Sequence, residues 1–184
     1  KRNGDCPDDG YYSFASYSKN CFNNNWWAID EDHTPNDAFG RMMIVNAAID
    51  PGIFFVNYIY GLKPATTYEL SFWILNVCGH AYGCTPTPPA LRISVWAGTN
   101  QLTGMETGVI LPGNKPAWRN YLGSFNTPET GGIILIKMED ITSGGCGNDF
   151  ALDDIVIKEC RINKPVETPK PIVKSTVTKP TAKP

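Results

Sequence analysis

The chain lacks several features that would point to common protein classes. No apolar run reaches the roughly 18 residues that a membrane-spanning helix needs, and no segment keeps amphipathic helical spacing for more than about a turn. There is no Gly-rich phosphate loop leading into a helix and no Gly-x-Ser-x-Gly nucleophile motif. These absences argue against membrane insertion, nucleotide binding and a serine-hydrolase site.

The charge is unevenly distributed. Residues 164–184 contain five Lys and one Glu, so the net charge of −2 for the whole chain leaves residues 1–163 acidic. An acidic domain without a basic stripe is not expected to bind nucleic acid. The chain opens without a secretion signal, so we expect it to be a mature or excised piece of a larger protein.

Residues 164–184 are also rich in Pro and Thr. Such a composition buries too little apolar surface to fold, and it favours an extended chain. The sequence therefore predicts a domain over residues 1–163 and a linker over residues 164–184 that joins it to other domains of the same polypeptide. The alternative is that the evenly spaced lysines contact an anionic surface polymer.

Six cysteines are present, and no two of them form a Cys-x-x-Cys pair. This irregular spacing disfavours a zinc site and favours disulfides, so we expect a secreted or cell-surface protein. Cys78 and Cys84 flank a short segment between two strand-like runs, and we expect them to pair. The alternative is buried free thiols in a cytosolic protein.

Short runs of apolar and β-branched residues alternate with Gly- and Pro-rich turns throughout the domain. In the run over 90–97, Arg92 and Ser94 share one face of the predicted strand. The pattern is typical of an all-β sandwich or barrel. The predicted strands are 41–46, 53–60, 66–77, 90–97, 118–125, 133–138 and a last one from residue 150.

The last predicted strand contains two adjacent carboxylates, Asp153 and Asp154. Because side chains alternate along a strand, one of the two should point toward the packed face. A buried carboxylate needs a partner, since an unpaired buried charge is costly. A calcium ion would supply one.

Several segments resemble MAM domains. Asp32-His33-Thr34 followed by 40–46 resembles their "DHT…G.YM" segment, and 150–155 resembles the "FALDDI" that closes them. Cys6 and Cys21 stand where MAM domains place their first cysteine pair. Residues 61–74 look like a segment of MAM-like and carbohydrate-binding jelly rolls. The resemblance implies a two-sheet antiparallel jelly-roll β-sandwich with adjacent first and last strands.

The same resemblance implies a structural Ca²⁺ site. Asp153 matches the strand carboxylate that holds calcium in related jelly rolls, and Asp32 and Asp37 lie in the loop from which such sites take further ligands. Asp9 and Asp30 are weaker candidates. The alternative is that Asp32 caps a turn and that Asp153 is satisfied by backbone N–H groups or an Arg.

Catalysis is not expected. His33 lies beside acidic residues, but without a nucleophile motif it is interpreted as a structural hydrogen-bonding residue. Glycoside hydrolysis needs two carboxylates on one face, whereas adjacent strand residues such as Asp153 and Asp154 should face opposite ways. A glycosidase would also need a larger scaffold with a long cleft. We therefore predict that the domain is not an enzyme.

Exposed aromatic side chains are candidate sugar-binding platforms. The predicted ligand-binding residues are Tyr82 and one of Trp26 and Trp27, beside Asn25, since a Trp flanked by amides suits a polyol. We therefore expect a non-catalytic, extracellular carbohydrate-binding or adhesion module whose partner is a glycan or a surface protein. The alternative is a protein-binding assembly module, or a spacer, without glycan binding.

Overall fold

The computed structural model describes residues 4–37, 39–79 and 85–160. The predicted linker over 164–184, Tyr82 and Cys84 lie outside these ranges. Within them, no helix has the length and apolar character to cross a membrane. The strands are β1 (Tyr11–Ala15), β2 (Met42–Asn46), β3 (Gly52–Ile59), β4 (Thr67–Asn76), β5 (Ala90–Ala97), β6 (Asn100–Val109), β7 (Arg119–Asn126), β8 (Ile134–Asp140) and β9 (Phe150–Glu159).

The strands form two antiparallel sheets. The five-stranded sheet has the order β1-β2-β9-β4-β7, and the four-stranded sheet has the order β3-β8-β5-β6. The predicted two-sheet jelly-roll β-sandwich is confirmed. The expected adjacency of the first and last strands is wrong, because β1 pairs with β2, and β9 lies between β2 and β4.

The main core lies between the two sheets. Side chains in β4 alternate between the core and the outer face, so that Leu70, Phe72 and Ile74 are buried. The buried apolar residues of β5 and β8 belong to the same core cluster. Because successive strand side chains face opposite ways, Trp73 points outward next to Phe72.

A second apolar cluster covers the outer face of the five-stranded sheet. The connection between β1 and β2 folds back over this face and buries Cys21, Trp26 and Ile29 against Ile44 and Leu75. Two apolar layers therefore sandwich the five-stranded sheet, with the core on one side and the β1–β2 connection on the other.

Disulfide bonds link some of these segments covalently. Cys6 and Cys21 form the pair that the MAM resemblance implies, and their Cα atoms lie 5.4 Å apart. Cys146 is also disulfide-bonded. The expected disulfide between Cys78 and Cys84 is wrong, because Cys78 keeps its thiol, which donates a hydrogen bond to Asp149 Oδ2 at 3.6 Å; Cys84 itself lies outside the described residues.

Candidate functional site

The two adjacent carboxylates of β9 lie at a backbone irregularity. Asp154 has a φ of +47°, in the left-handed region, and the pairing with β4 shifts register between Ser71 and Trp73. This bulge breaks the alternation of side chains, so both carboxylates reach the same segment. The prediction that Asp153 and Asp154 face opposite sides is wrong for this reason.

Both carboxylates bind the segment that begins at Asp32. The backbone N–H of His33 donates to Asp153 Oδ2 at 2.9 Å, and His33 Nδ1 lies 2.7 Å from Asp154 Oδ2. The Thr34 hydroxyl donates to Asp154 at 3.0 Å. Asp153 also accepts the N–H of Asp154 through Oδ1 at 2.8 Å. Backbone N–H groups thus satisfy Asp153, as one of the two sequence interpretations proposed.

Aromatic rings add to these hydrogen bonds around His33, and we call the whole set of contacts the His33 anchor. The imidazole of His33 stacks on the indole of Trp73 with centroids 3.8 Å apart, and it meets Trp118 edge-on at 5.7 Å. His33 therefore joins the β1–β2 connection to β9 by hydrogen bonds and to β4 by stacking. This contact is the structural role that the sequence indicated for His33.

Asp32 is the most enclosed of the predicted metal ligands, with 6% of its surface exposed. Burial raises the pKa of its carboxyl, and the carboxylates of Asp153 and Asp37 raise it further. Burial likewise raises the pKa of Asp153, while the N–H donors of His33 and Asp154 oppose that shift. The structure thus brings Asp32, Asp37 and Asp153 into one electrostatic neighbourhood.

The other predicted ligands lie elsewhere. Asp30 pairs with Lys19 at 2.8 Å on the surface. Asp9 interacts electrostatically with Asp149 instead of Asp153. Among the described residues, the one group of three donors within 4.8 Å of one another is Asp5 with Cys6 and Cys21. These two sulfurs form a disulfide, so that group is not a metal site.

A buried carboxylate that the sequence analysis missed is Asp149. Its Oδ1 accepts the N–H of Ala47 at 3.0 Å, and its Oδ2 accepts Trp26 Nε1–H at 3.1 Å. Cys78 Sγ lies 3.6 Å from Oδ2. Burial raises the pKa of Asp149 to about 7, against these hydrogen bonds. Asp149 therefore ties the β1–β2 connection to the start of β9.

The predicted sugar platform is not available at Trp26. Trp26 is 3% exposed, and it packs against Phe22 with ring centroids 4.8 Å apart. Its indole N–H is committed to Asp149, so Trp26 is a core residue, and the expectation of an exposed ring is corrected. Trp27 is half-buried, and its ring lies so close to Gly79 that a Cβ there would clash with it. Asn25 is half-buried beside Trp26.

A polar groove lies instead on the outer face of the four-stranded sheet. Arg92, Ser94 and Trp96 project from β5 on this face, opposite the buried alternation of Leu91 and Ile93. The groove has a volume of about 500 Å³, within the range of small-molecule sites. The lining residues from the neighbouring strands include Ile53, Gln101, Gly104, Glu106, Lys137 and Glu139.

Strand register places the groove side chains in rows. Arg92 lies between Glu106 of β6 and Glu139 of β8, and it donates to both, at 2.9 and 3.4 Å. In the next row, Ser94 lies between Gly104 and Lys137. One end of the groove is thus a Glu–Arg–Glu cluster whose charged groups are mutually paired.

The other part of the groove carries an indole. Trp96 Nε1 donates to Ser94 Oγ at 2.8 Å, which orients the ring along β5. The ammonium of Lys137 lies 5.1 Å from the ring centroid, a distance typical of a cation–π contact. Gly104 lacks a side chain where a Cβ would stand 2.6 Å from Gln101 Nε2, so the Gln101 amide occupies the groove floor.

Sequence reasoning noted that Arg92 and Ser94 share a face but missed the groove. Trp96 stands two residues beyond Ser94, so the same alternation places it on the face of Arg92 and Ser94. The partners from β6 and β8 depend on register between distant segments, which the sequence does not show.

Comparison with known proteins identifies the scaffold. No protein-family model matches the chain, and no curated protein is significantly similar to it. Among solved structures, an apo cyclase from Fischerella sp. matches with a TM-score of 0.57 and 17% identity, over 85% of this chain and 75% of the cyclase. This chain shares the fold of those cyclases. Three further Fischerella cyclase structures match with TM-scores of 0.52 to 0.55.

Two other matches are more distant. The enzymatically active domain of tailspike protein 4 from bacteriophage CBA120 has a TM-score of 0.48 and 15% identity, over 84% of this chain but only 18% of that chain. A CBM4 carbohydrate-binding module has a TM-score of 0.43 and 14% identity, over 65% of this chain and 70% of the module. One of these two matches is a carbohydrate-binding module, and no family model confirms the resemblance to MAM domains.

These neighbours correct one prediction. We predicted that the domain is not an enzyme, partly because catalysis would need a larger scaffold with a long cleft. The cyclases are built on this same fold and at similar size, so that prediction is contradicted. At such identities the likeness concerns the fold alone, because one fold supports many chemistries.

Proposed function

We propose that the domain is a glycan-binding module of a secreted or cell-surface protein, and that the groove around Trp96 is its binding site. The observation that carries the proposal is an indole set among polar side chains on an outward sheet face. The Cys6–Cys21 disulfide supports the extracellular assignment, since disulfides persist in oxidising compartments.

The chemistry of the groove suits a sugar better than an apolar ligand. A saccharide offers C–H faces that stack on an indole, and hydroxyl groups that both donate and accept hydrogen bonds. Trp96 supplies the flat apolar surface, and Gln101, Ser94 and Arg92 surround it with donors and acceptors. The groove is an open depression on a sheet face, so a polymer can lie along it.

The test is a polysaccharide binding screen followed by titration calorimetry on the best ligand. The screen includes neutral polymers such as xylan, mannan and dextran, and acidic ones such as polygalacturonate and alginate. We expect Trp96→Ala to weaken binding by about 5- to 150-fold, because a stacking contact on an aromatic ring is worth about 1–3 kcal/mol, the value for bases on aromatic side chains.

The matched control is Tyr60→Ala. Tyr60 is 70% exposed and lies outside the groove, so its removal should leave affinity unchanged. Equal melting temperatures of both variants would show that folding is intact. Unchanged binding by folded Trp96→Ala would contradict this site. A domain that binds no glycan at all, yet binds a protein of the same cell surface, would favour the adhesion function.

Calcium at Asp32 and Asp153, with Asp37 as a further ligand, remains a second proposal. Its support is that Asp32 is a buried carboxylate among other carboxylates, and that it forms no salt bridge with Lys or Arg within the described residues. A bound Ca²⁺ would neutralise this group and fix the loop against β9. Added Ca²⁺ should then raise the melting temperature, and EDTA should reverse the rise. If Ca²⁺ leaves the melting temperature of Asp32→Asn unchanged but raises that of Asp9→Asn as much as that of the wild type, the calcium site lies at Asp32.

A further inference from the structure

The groove contains a cation without a carboxylate partner. Within residues 4–37, 39–79 and 85–160, Lys137 forms no salt bridge, although two glutamates line the same groove. Both glutamate carboxylates accept hydrogen bonds from Arg92 instead, Glu106 at 2.9 Å and Glu139 at 3.4 Å. The Lys137 ammonium rests over the Trp96 ring at 5.1 Å.

Strand register explains why Lys137 is left unpaired. Its cross-strand neighbours are Val56 on β3 and Ser94 on β5, and Gly104 lies beyond Ser94 on β6. None of these three carries a charge. Side chains directly opposite each other form the closest pairs in a sheet, so no carboxylate is built into the row of Lys137.

We infer that the groove selects saccharides that carry a carboxylate, such as uronic acid polymers, and that Lys137 binds this carboxylate while the sugar ring lies on Trp96. This inference rests on the proposed glycan-binding function. A lysine ammonium is a compact charge on a flexible stem, so it can turn from the ring face to a ligand that stacks there. A charge-assisted hydrogen bond then replaces the weaker cation–π contact.

The geometry also disfavours Arg92 for this role. Its guanidinium already donates to two carboxylates, so a ligand carboxylate there would have to compete with both. Lys137 is the groove cation that pairs with no carboxylate in the part of the chain that the structure describes. Its position beside the indole lets one sugar unit contact both groups.

The experiment compares the same polymers with free and with methyl-esterified carboxylates. Polygalacturonate, alginate and hyaluronate, each with its methyl ester, are titrated against the wild-type domain and the variants. We expect the wild type to bind at least one free polymer roughly tenfold or more tightly than its ester, since a charged hydrogen bond is worth about that factor. Lys137→Met should remove this preference, so that the variant binds the free polymer no more tightly than its ester. Lys137→Arg should restore it.

The control is Lys115→Met, which removes an exposed lysine outside the groove and should keep the preference. Equal wild-type affinity for the free and esterified polymers, or a preference that survives Lys137→Met, would overturn this inference and leave glycan binding intact. Binding of neutral polymers alone would overturn it as well. Absence of Trp96-dependent binding to any polymer would overturn both this inference and the proposed function.

Discussion

Replacing Asp149 with Asn is expected to make the stability of the domain less dependent on pH. Asp149 is buried, and its carboxylate accepts hydrogen bonds from Ala47 N–H and Trp26 Nε1–H. Burial nevertheless raises its pKa from 3.8 to about 7. The folded state therefore holds a proton on Asp149 at pH values at which the unfolded chain has lost it.

The direction of the effect follows from proton linkage. Because the pKa of Asp149 is higher in the folded state, its contribution to stability is fully present below pH 3.8 and is lost as the pH rises to about 7. Each pKa unit corresponds to about 1.4 kcal/mol. The free energy of unfolding of the wild type should thus fall by about 3 kcal/mol between pH 5 and pH 8 from this group alone.

The assay is urea unfolding followed by tryptophan fluorescence at several pH values between 5 and 8. Asn is close in shape to a protonated Asp but does not titrate. As the pH rises, the unfolding free energy of the wild type should therefore fall relative to that of Asp149→Asn. Asp140→Asn is the comparison, because burial raises the pKa of Asp140 to about 6 and its effect should end at lower pH. A difference for Asp149→Asn that is constant across this range would refute the reasoning.

Three further outcomes test the way in which the β1–β2 connection is held. Replacing Cys6 and Cys21 with Ala should lower the free energy of unfolding by about 3 kcal/mol in denaturant titrations, because the bridge spans 15 residues. Gly40→Ala should lower the melting temperature, since its Cβ would clash with the Asp32 carboxylate, and Asp32→Ala should restore much of that loss. Asp154→Gly should be more stable than Asp154→Ala by about 1 kcal/mol in the same titrations, because of its positive φ; equal stabilities would argue against the bulge.

The strands that sequence reasoning recovered are those with strong apolar alternation. Strand β4 combines a buried Leu70, Phe72 and Ile74 with a more polar outer face, a period-2 pattern that is visible in the sequence. Strands β1 and β6 were missed. β6 contains Gly104 and Gly108 and is mostly exposed at the edge of its sheet, so it has neither the composition nor the alternation of a typical strand.

The anchor at β9 was predicted in part. The MAM resemblance implied that Asp32 lies near Asp153 in a calcium site, and in the structure the next residue, His33, donates its backbone N–H to Asp153. The direction of Asp154 could not be predicted, because it depends on a left-handed backbone conformation at a residue that usually avoids it. Tertiary contacts with His33 and Thr34 compensate for this strain, and they are invisible in the local sequence.

The two sheets differ in what covers their outer faces. We therefore expect substitutions on the covered face to change stability and substitutions on the open face to change binding. The β1–β2 connection closes the face of the five-stranded sheet through Trp26 and the His33 anchor, whereas the groove face with Trp96 stays open. His33→Ala should therefore lower the free energy of unfolding by about 1–3 kcal/mol, through loss of its hydrogen bond and its stacking on Trp73. It should leave glycan affinity unchanged at temperatures at which the domain is folded, while Trp96→Ala should do the reverse. Paired thermal melts and calorimetric titrations measure both quantities, and loss of binding by folded His33→Ala would place the ligand on the covered face instead.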